Sequence, residues 1–153
     1  FMTNIIEILS EKIIVLDGAM GTMVQSYKLS EKDFRGDRFK THPNDLQGNN
    51  DILCLTQPEI VYEIHIDYFQ AGADIVETNT FGGTNFVLGE FGLEDKVIEI
   101  NQKAVELARN ACDKFSTKEK EETQKKVWKK IVGKSMLTKR EAFALIGFFK
   151  KIN

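Results

Sequence analysis

Cysteine is scarce, with two in 153 residues. Cys54 and Cys112 lie far apart in apolar surroundings, so no disulfide framework is in view and both read as reduced core residues of a cytoplasmic protein. Histidine is equally sparse: His42 sits in a Pro-Asn turn and reads as exposed and inert, and His65 reads as a partly buried packing residue. No His/Cys spacing makes a zinc site. No apolar run approaches the roughly 18 residues of a membrane span, and the first dozen residues mix Glu and Lys with Ile, unlike a secretory signal. The single Trp lies in a Lys-rich stretch without the interleaved aromatics of single-strand binders, which favours a solvated helix face over nucleic-acid binding. There is no internal repeat. A first residue of Phe1 is consistent with a chain that begins short of its natural start.

What is present suffices for a core. Hydrophobic residues make up 42% of the chain and include eleven Phe, a globular rather than a disordered composition. The net charge of −2 conceals a division. Residues 1–115 carry a surplus of acid and residues 116–153 a surplus of Lys and Arg, which marks two segments with different tasks.

The chain is organised around Ile13-Ile14-Val15-Leu16-Asp17-Gly18-Ala19-Met20-Gly21-Thr22. Four apolar residues, three of them β-branched, read as a strand buried on both faces. That strand runs into a carboxylate and a glycine turn, the way an α/β protein presents chemistry at the carboxyl end of its sheet. A short helix over 4–12, N-capped by Thr3, precedes it with Ile5, Ile6 and Leu9 inward. From Met23 to Asn50 the signals are mostly those of a long, functional loop, with a helical turn or two allowed over 31–40. Gln57-Pro58-Glu59 starts a helix carrying Ile60, Val61, Ile64, Tyr68 and Phe69, and Gly72 closes it.

Residues 74–80 form the second strand, ending in polar residues before Phe81-Gly82-Gly83. Thr84 caps a short helix ending near Gly92, and 95–115 reads as a long amphipathic helix with Val97, Ile100, Ala104, Leu107, Ala108 and Ala111 on one stripe. This is β/α alternation, and a crossover of this length implies parallel strands. Beyond Ser116, 118–132 and 142–151 are helix candidates, the second behind a capping box at Thr138 and Glu141. No further strand follows.

Asp17 has two readings of similar weight, a ligand for a substrate ammonium or metal and a cap for its own turn. The turn is neither G-x-G-x-x-G nor G-x-x-x-x-G-K-[ST], but its backbone amides could form a small anion nest. Glu77, Asn79 and Thr80 end the second strand and should face the same mouth, with Glu77 and Asn79 on one side of it. The bland alternative for them is a buried polar network that ties loops together.

Four blocks carry a resemblance: 16–27 (Leu16-Asp17-Gly18-Ala19-Met20-Gly21-Thr22 onward), 33–39 (Asp33-Phe34-Arg35-Gly36-Asp37-Arg38-Phe39), Gly48-Asn49-Asn50-Asp51, and 71–81. In order and spacing, over about residues 3–115, they resemble the homocysteine-binding module at the start of cobalamin-dependent methionine synthases. The second and third blocks favour that family over its betaine- and S-methylmethionine-using relatives.

The resemblance implies an α/β fold, the N-terminal portion of a (β/α)8 TIM-type barrel with about two parallel strands and their helices over 1–115, followed by a Lys-rich helical basic tail over 116–153 that does not resemble the family. It implies homocysteine at the carboxyl-end mouth, its ammonium held by Asp17 and its carboxylate facing the amides of Gly18, Ala19 and Met20. Glu77, Asn79 and Thr80 would line the same mouth.

Family chemistry uses zinc on three cysteines to hold homocysteine as a thiolate that attacks methylcobalamin, which methyltetrahydrofolate then remethylates on other modules. Neither Cys54 nor Cys112 matches a zinc position, and a whole barrel needs about 250 residues. The expectation is therefore a homocysteine-binding part that holds neither zinc nor cobalamin and is inactive alone. Its partners would be the remaining barrel and the folate and cobalamin modules. The alternatives are a non-catalytic interaction fragment and a misassigned gene product.

Overall fold

The computed structural model describes residues 5–115. Thr3 and Asn4, and both helix candidates beyond Ser116, lie outside the described residues. Among the described residues seven α-helices succeed one another: α1 (Ile5–Glu11), α2 (Met20–Ser26), α3 (Glu31–Arg35), α4 (Leu53–Thr56), α5 (Pro58–Ala71), α6 (Asn85–Glu90) and α7 (Val97–Phe115). Single 3-10 turns at Asn50–Ile52 and Glu94–Lys96 lead into α4 and α7.

Helix α5 begins and ends for local reasons. Pro58 occupies the first turn of α5, where its fixed φ suits a helix and its missing N–H costs nothing. Gly72 ends α5 at φ 109° and returns its N–H to the carbonyls of Tyr68 and Phe69, a left-handed cap that a side chain would strain. On α7, Ile100, Ala104, Leu107, Ala111 and Phe115 are buried, a stripe at helical spacing. That stripe packs along α5, and α4 packs against both helices. Leu46, Ile52, Leu53, Val61, Ile64, Leu88 and Ile100 are fully buried in the main core. A second cluster joins the far ends of the same helices, where the rings of Phe69 and Phe115 stack at 5.6 Å.

The stretch between α2 and α4 is more regular than its turn-rich text suggests. Glu31 and Arg35, one helical turn apart on α3, pair at 2.5 Å and organise the segment between α3 and α4. Glu31 accepts the backbone N–H groups of Leu46 and Gln47, while Arg35 donates to the carbonyls of His42 (2.6 Å) and Asn44 (2.8 Å). His42 is accordingly half-buried rather than exposed, its Nε2 lying 2.7 Å from the carbonyl of Phe91. Helix α2 was not expected either; it starts at Met20, inside the glycine turn.

The two expected strands meet in the expected sense but do not build a ladder. Leu16 and Ile75 form one parallel bridge, with Asp17 N donating to Ile75 O at 3.0 Å and Asp74 N to Val15 O at 2.8 Å. No longer strand occurs among the described residues. The expectation of burial on both faces is corrected: Ile13, Val15 and Leu16 are each more than half exposed. Ile6 and Leu9 of α1, expected inward, are exposed as well. A parallel segment is covered only when neighbours lie over both its faces, and the described elements pack around α5 and α7 instead.

Candidate substrate-binding mouth

The bridge at Leu16 and Ile75 brings Asp17 and Glu77 to the same end of their segments. Asp17 Oδ1 accepts the backbone N–H of Glu77 at 3.0 Å. It does not cap its own helix, since the N-cap of α2 is Ala19 and no side chain closes that terminus. Of the two readings of Asp17, the local cap is therefore absent and the carboxylate spans to the second segment. Partial burial holds its pKa above the usual carboxylate value, against the lowering effect of the bond from Glu77. Its charge in turn helps burial to raise the phenol of Tyr68 on α5.

The turn after Asp17 presents its backbone to solvent. Gly18 and Ala19 are exposed, Met20 is half-buried, and a Cβ on Gly18 would meet nothing within 4 Å. Ala19 adopts φ 51°, ψ 33°, a left-handed conformation that is uncommon outside glycine.

The residues of the second segment separate. The side chain of Glu77 is exposed, and the residue reaches Asp17 through its backbone. Asn79 is 5% exposed and points inward: its Nδ2 donates to the carbonyl of Asn50 at 2.7 Å and approaches Cys54 Sγ at 3.7 Å. Thr80 is half-buried, with its hydroxyl 2.8 Å from that of Thr78. So Asp17, the 18–20 turn and the backbone of Glu77 are brought together, while Asn79 serves as an internal strut.

One residue of this region was not singled out from the sequence. Asp51 is 7% exposed, and its Oδ1 accepts the backbone N–H of Gly82 at 3.0 Å. Burial raises its pKa above the ordinary value, again opposed by that bond. The signal available beforehand was the Gly48-Asn49-Asn50-Asp51 block, which reads as a turn and gives no hint that its last carboxylate is buried.

The described residues do not fit zinc. No cluster of three or more His, Cys, Asp or Glu among them is placed to hold a metal ion. Cys54 is fully buried beneath Asn79, and burial pushes its thiol up to about 12, whereas zinc takes the thiolate. Neither cysteine forms a disulfide.

Residues 14–144 match the model of a methyl-transfer family. That family is homocysteine S-methyltransferase, and the chain belongs to it. Its chemistry is methyl transfer to homocysteine, which makes homocysteine the substrate consistent with this site. The match crosses the change of composition at 116 and continues into the Lys-rich stretch.

Proposed function

We propose that this chain is the homocysteine-holding part of a cobalamin-dependent methionine synthase, an N-terminal portion of a (β/α)8 barrel. The observation that carries the binding role is the Asp17 carboxylate, held at the shared end of two parallel segments by the N–H of Glu77. It stands beside an exposed turn of backbone amides at Gly18, Ala19 and Met20. An amino acid presents an ammonium and a carboxylate a few ångströms apart. A fixed carboxylate next to a nest of N–H donors is complementary to that pair. The choice of the cobalamin enzyme over other members rests on the 33–39 and 48–51 blocks.

Alone, the chain transfers no methyl group. A thiol is a poor nucleophile until it is deprotonated, and the described residues offer no metal-holding cluster for that step. Zinc and cobalamin belong, in this reading, to the full-length enzyme, whose other modules supply the methyl group. Two cysteines outside any disulfide fit a cytoplasmic setting.

Calorimetric titration of the 153-residue chain with L-homocysteine tests the binding role. Saturable binding is expected, weakened about tenfold or more in D17A, since a charge-assisted bond is worth about 1.5–3 kcal/mol. Absence of binding, or equal affinity in D17A, would overturn it. Stoichiometric zinc in the purified chain, with methionine formed from homocysteine and methylcobalamin, would overturn the claim of inactivity.

The exposed Ile13, Val15 and Leu16 favour one second reading, a non-catalytic module whose open segments are completed by a partner's strands. A chain that is monomeric by size exclusion and uncrosslinked in native extract would argue against it.

A further inference from the structure

The segment from Glu77 to Gly82 is held by three side chains, two of them from distant parts of the chain. Asp17 takes the N–H of Glu77 at one end, Asp51 takes the N–H of Gly82 at the other, and Asn79 ties the middle to the carbonyl of Asn50. We propose that Asp51 is a positioning residue for the homocysteine mouth, latching the 80–83 loop through the Gly82 N–H so that the backbone of Glu77 stays on Asp17. This rests on the homocysteine reading of the site given above.

Gly82 is built for the latch. A Cβ there would lie 2.8 Å from Asp51 Oδ2 and 3.0 Å from Val87 Cγ1, so only glycine admits the carboxylate at this distance. The neighbouring Gly83 is less tightly confined, with Thr80 and Asn101 within 3.2 Å of where a Cβ would lie, and Asn101 of α7 donates to its carbonyl at 2.8 Å. The loop is thus clamped from both sides while Phe81 beside them stands fully in solvent. A buried carboxylate with no Lys or Arg paired to it among the described residues is costly, and such costs concentrate where geometry serves a ligand.

The test compares wild type, D51A, D51N and G82A as full chains, reading L-homocysteine affinity by calorimetry and exchange of the backbone amide at position 82 by NMR. D51A removes the acceptor and is expected to weaken homocysteine by about tenfold and to speed the Gly82 amide by a similar factor. D51N keeps an acceptor oxygen and is expected to stay within about threefold of wild type in both readouts. G82A probes the same contact from the loop and loses affinity through the clash, which covers the case in which D51A does not fold. Equal homocysteine affinity in wild type, D51A and G82A overturns the proposal. So does loss in D51N as large as in D51A, because the latch would then not be the acceptor bond. Wild-type protein that binds no homocysteine overturns the functional reading and the positioning role with it, whereas unchanged Gly82 exchange in D51A overturns the latch alone.

Discussion

His65 offers the sharpest test of the packing described above. It lies on α5, one turn from both Val61 and Phe69, and is fully buried. Neither ring nitrogen has a hydrogen-bond partner among the described residues. An unsatisfied buried polar group costs about 1–3 kcal/mol, so replacing the ring by an apolar side chain of similar volume removes a cost rather than a contact. H65L is expected to gain about 1–2 kcal/mol at neutral pH, or roughly 2–8 °C in melting temperature.

The pH dependence carries the sign. Burial lowers the folded-state pKa of His65 below the ordinary 6.5. Between those two values the unfolded chain holds a proton that the folded chain does not. Stability from this group is therefore full above pH 6.5 and falls as the pH drops toward the folded pKa, by up to about 1.4 kcal/mol per unit. Urea denaturation of wild type and H65L at about pH 7.5 and about pH 5.5, on either side of the ordinary histidine value, measures both effects. The difference between the proteins cancels carboxylates common to them, and the gap should widen at the lower pH. An H65L protein less stable than wild type at the higher pH, or a gap that does not change with pH, would refute the reasoning.

Further outcomes rest on burial. A thiol reagent at about pH 8, near the ordinary thiol value, should label Cys112, which is half-buried, and spare Cys54, which is fully buried with its thiol pushed up to about 12; mass spectrometry of tryptic peptides reads the site. I64A should cost about 2–5 kcal/mol in urea denaturation because Ile64 is fully enclosed in the main core. By contrast R38A, which breaks a two-bond pair with Glu99 between half-exposed side chains, should cost no more than about 1 kcal/mol in the same assay.

The long helices were legible before the structure because their signals are local. Pro58 and Gly72 bound α5 through their own backbone preferences, and the stripe on α7 is a period that sequence spacing displays directly. The turn-rich text between 23 and 50 misled for the opposite reason. Glycine and Asn-Asp clusters mark where the chain turns, but the order there comes from the Glu31–Arg35 pair reaching backbone groups up to 16 residues away. The apolar run 13–16 stated what those side chains need, not what covers them. His42 read as exposed because nothing nearby in sequence predicts the Phe91 carbonyl, 49 residues on.

For the site, the sequence by itself determined its ingredients: an acid before a glycine turn, polar residues ending a second apolar segment, and the ordered blocks that pointed to homocysteine. Only the tertiary structure decided which of those groups meet. Asp17 finds a backbone amide 60 residues away and Asp51 finds one 31 residues away, while Asn79 turns inward to Asn50 and Cys54. Hydrogen bonds between such distant segments, and the burial that shifts a carboxylate or a thiol, are set by how α5 and α7 pack and where the chain returns. Nothing in the residue next door fixes them.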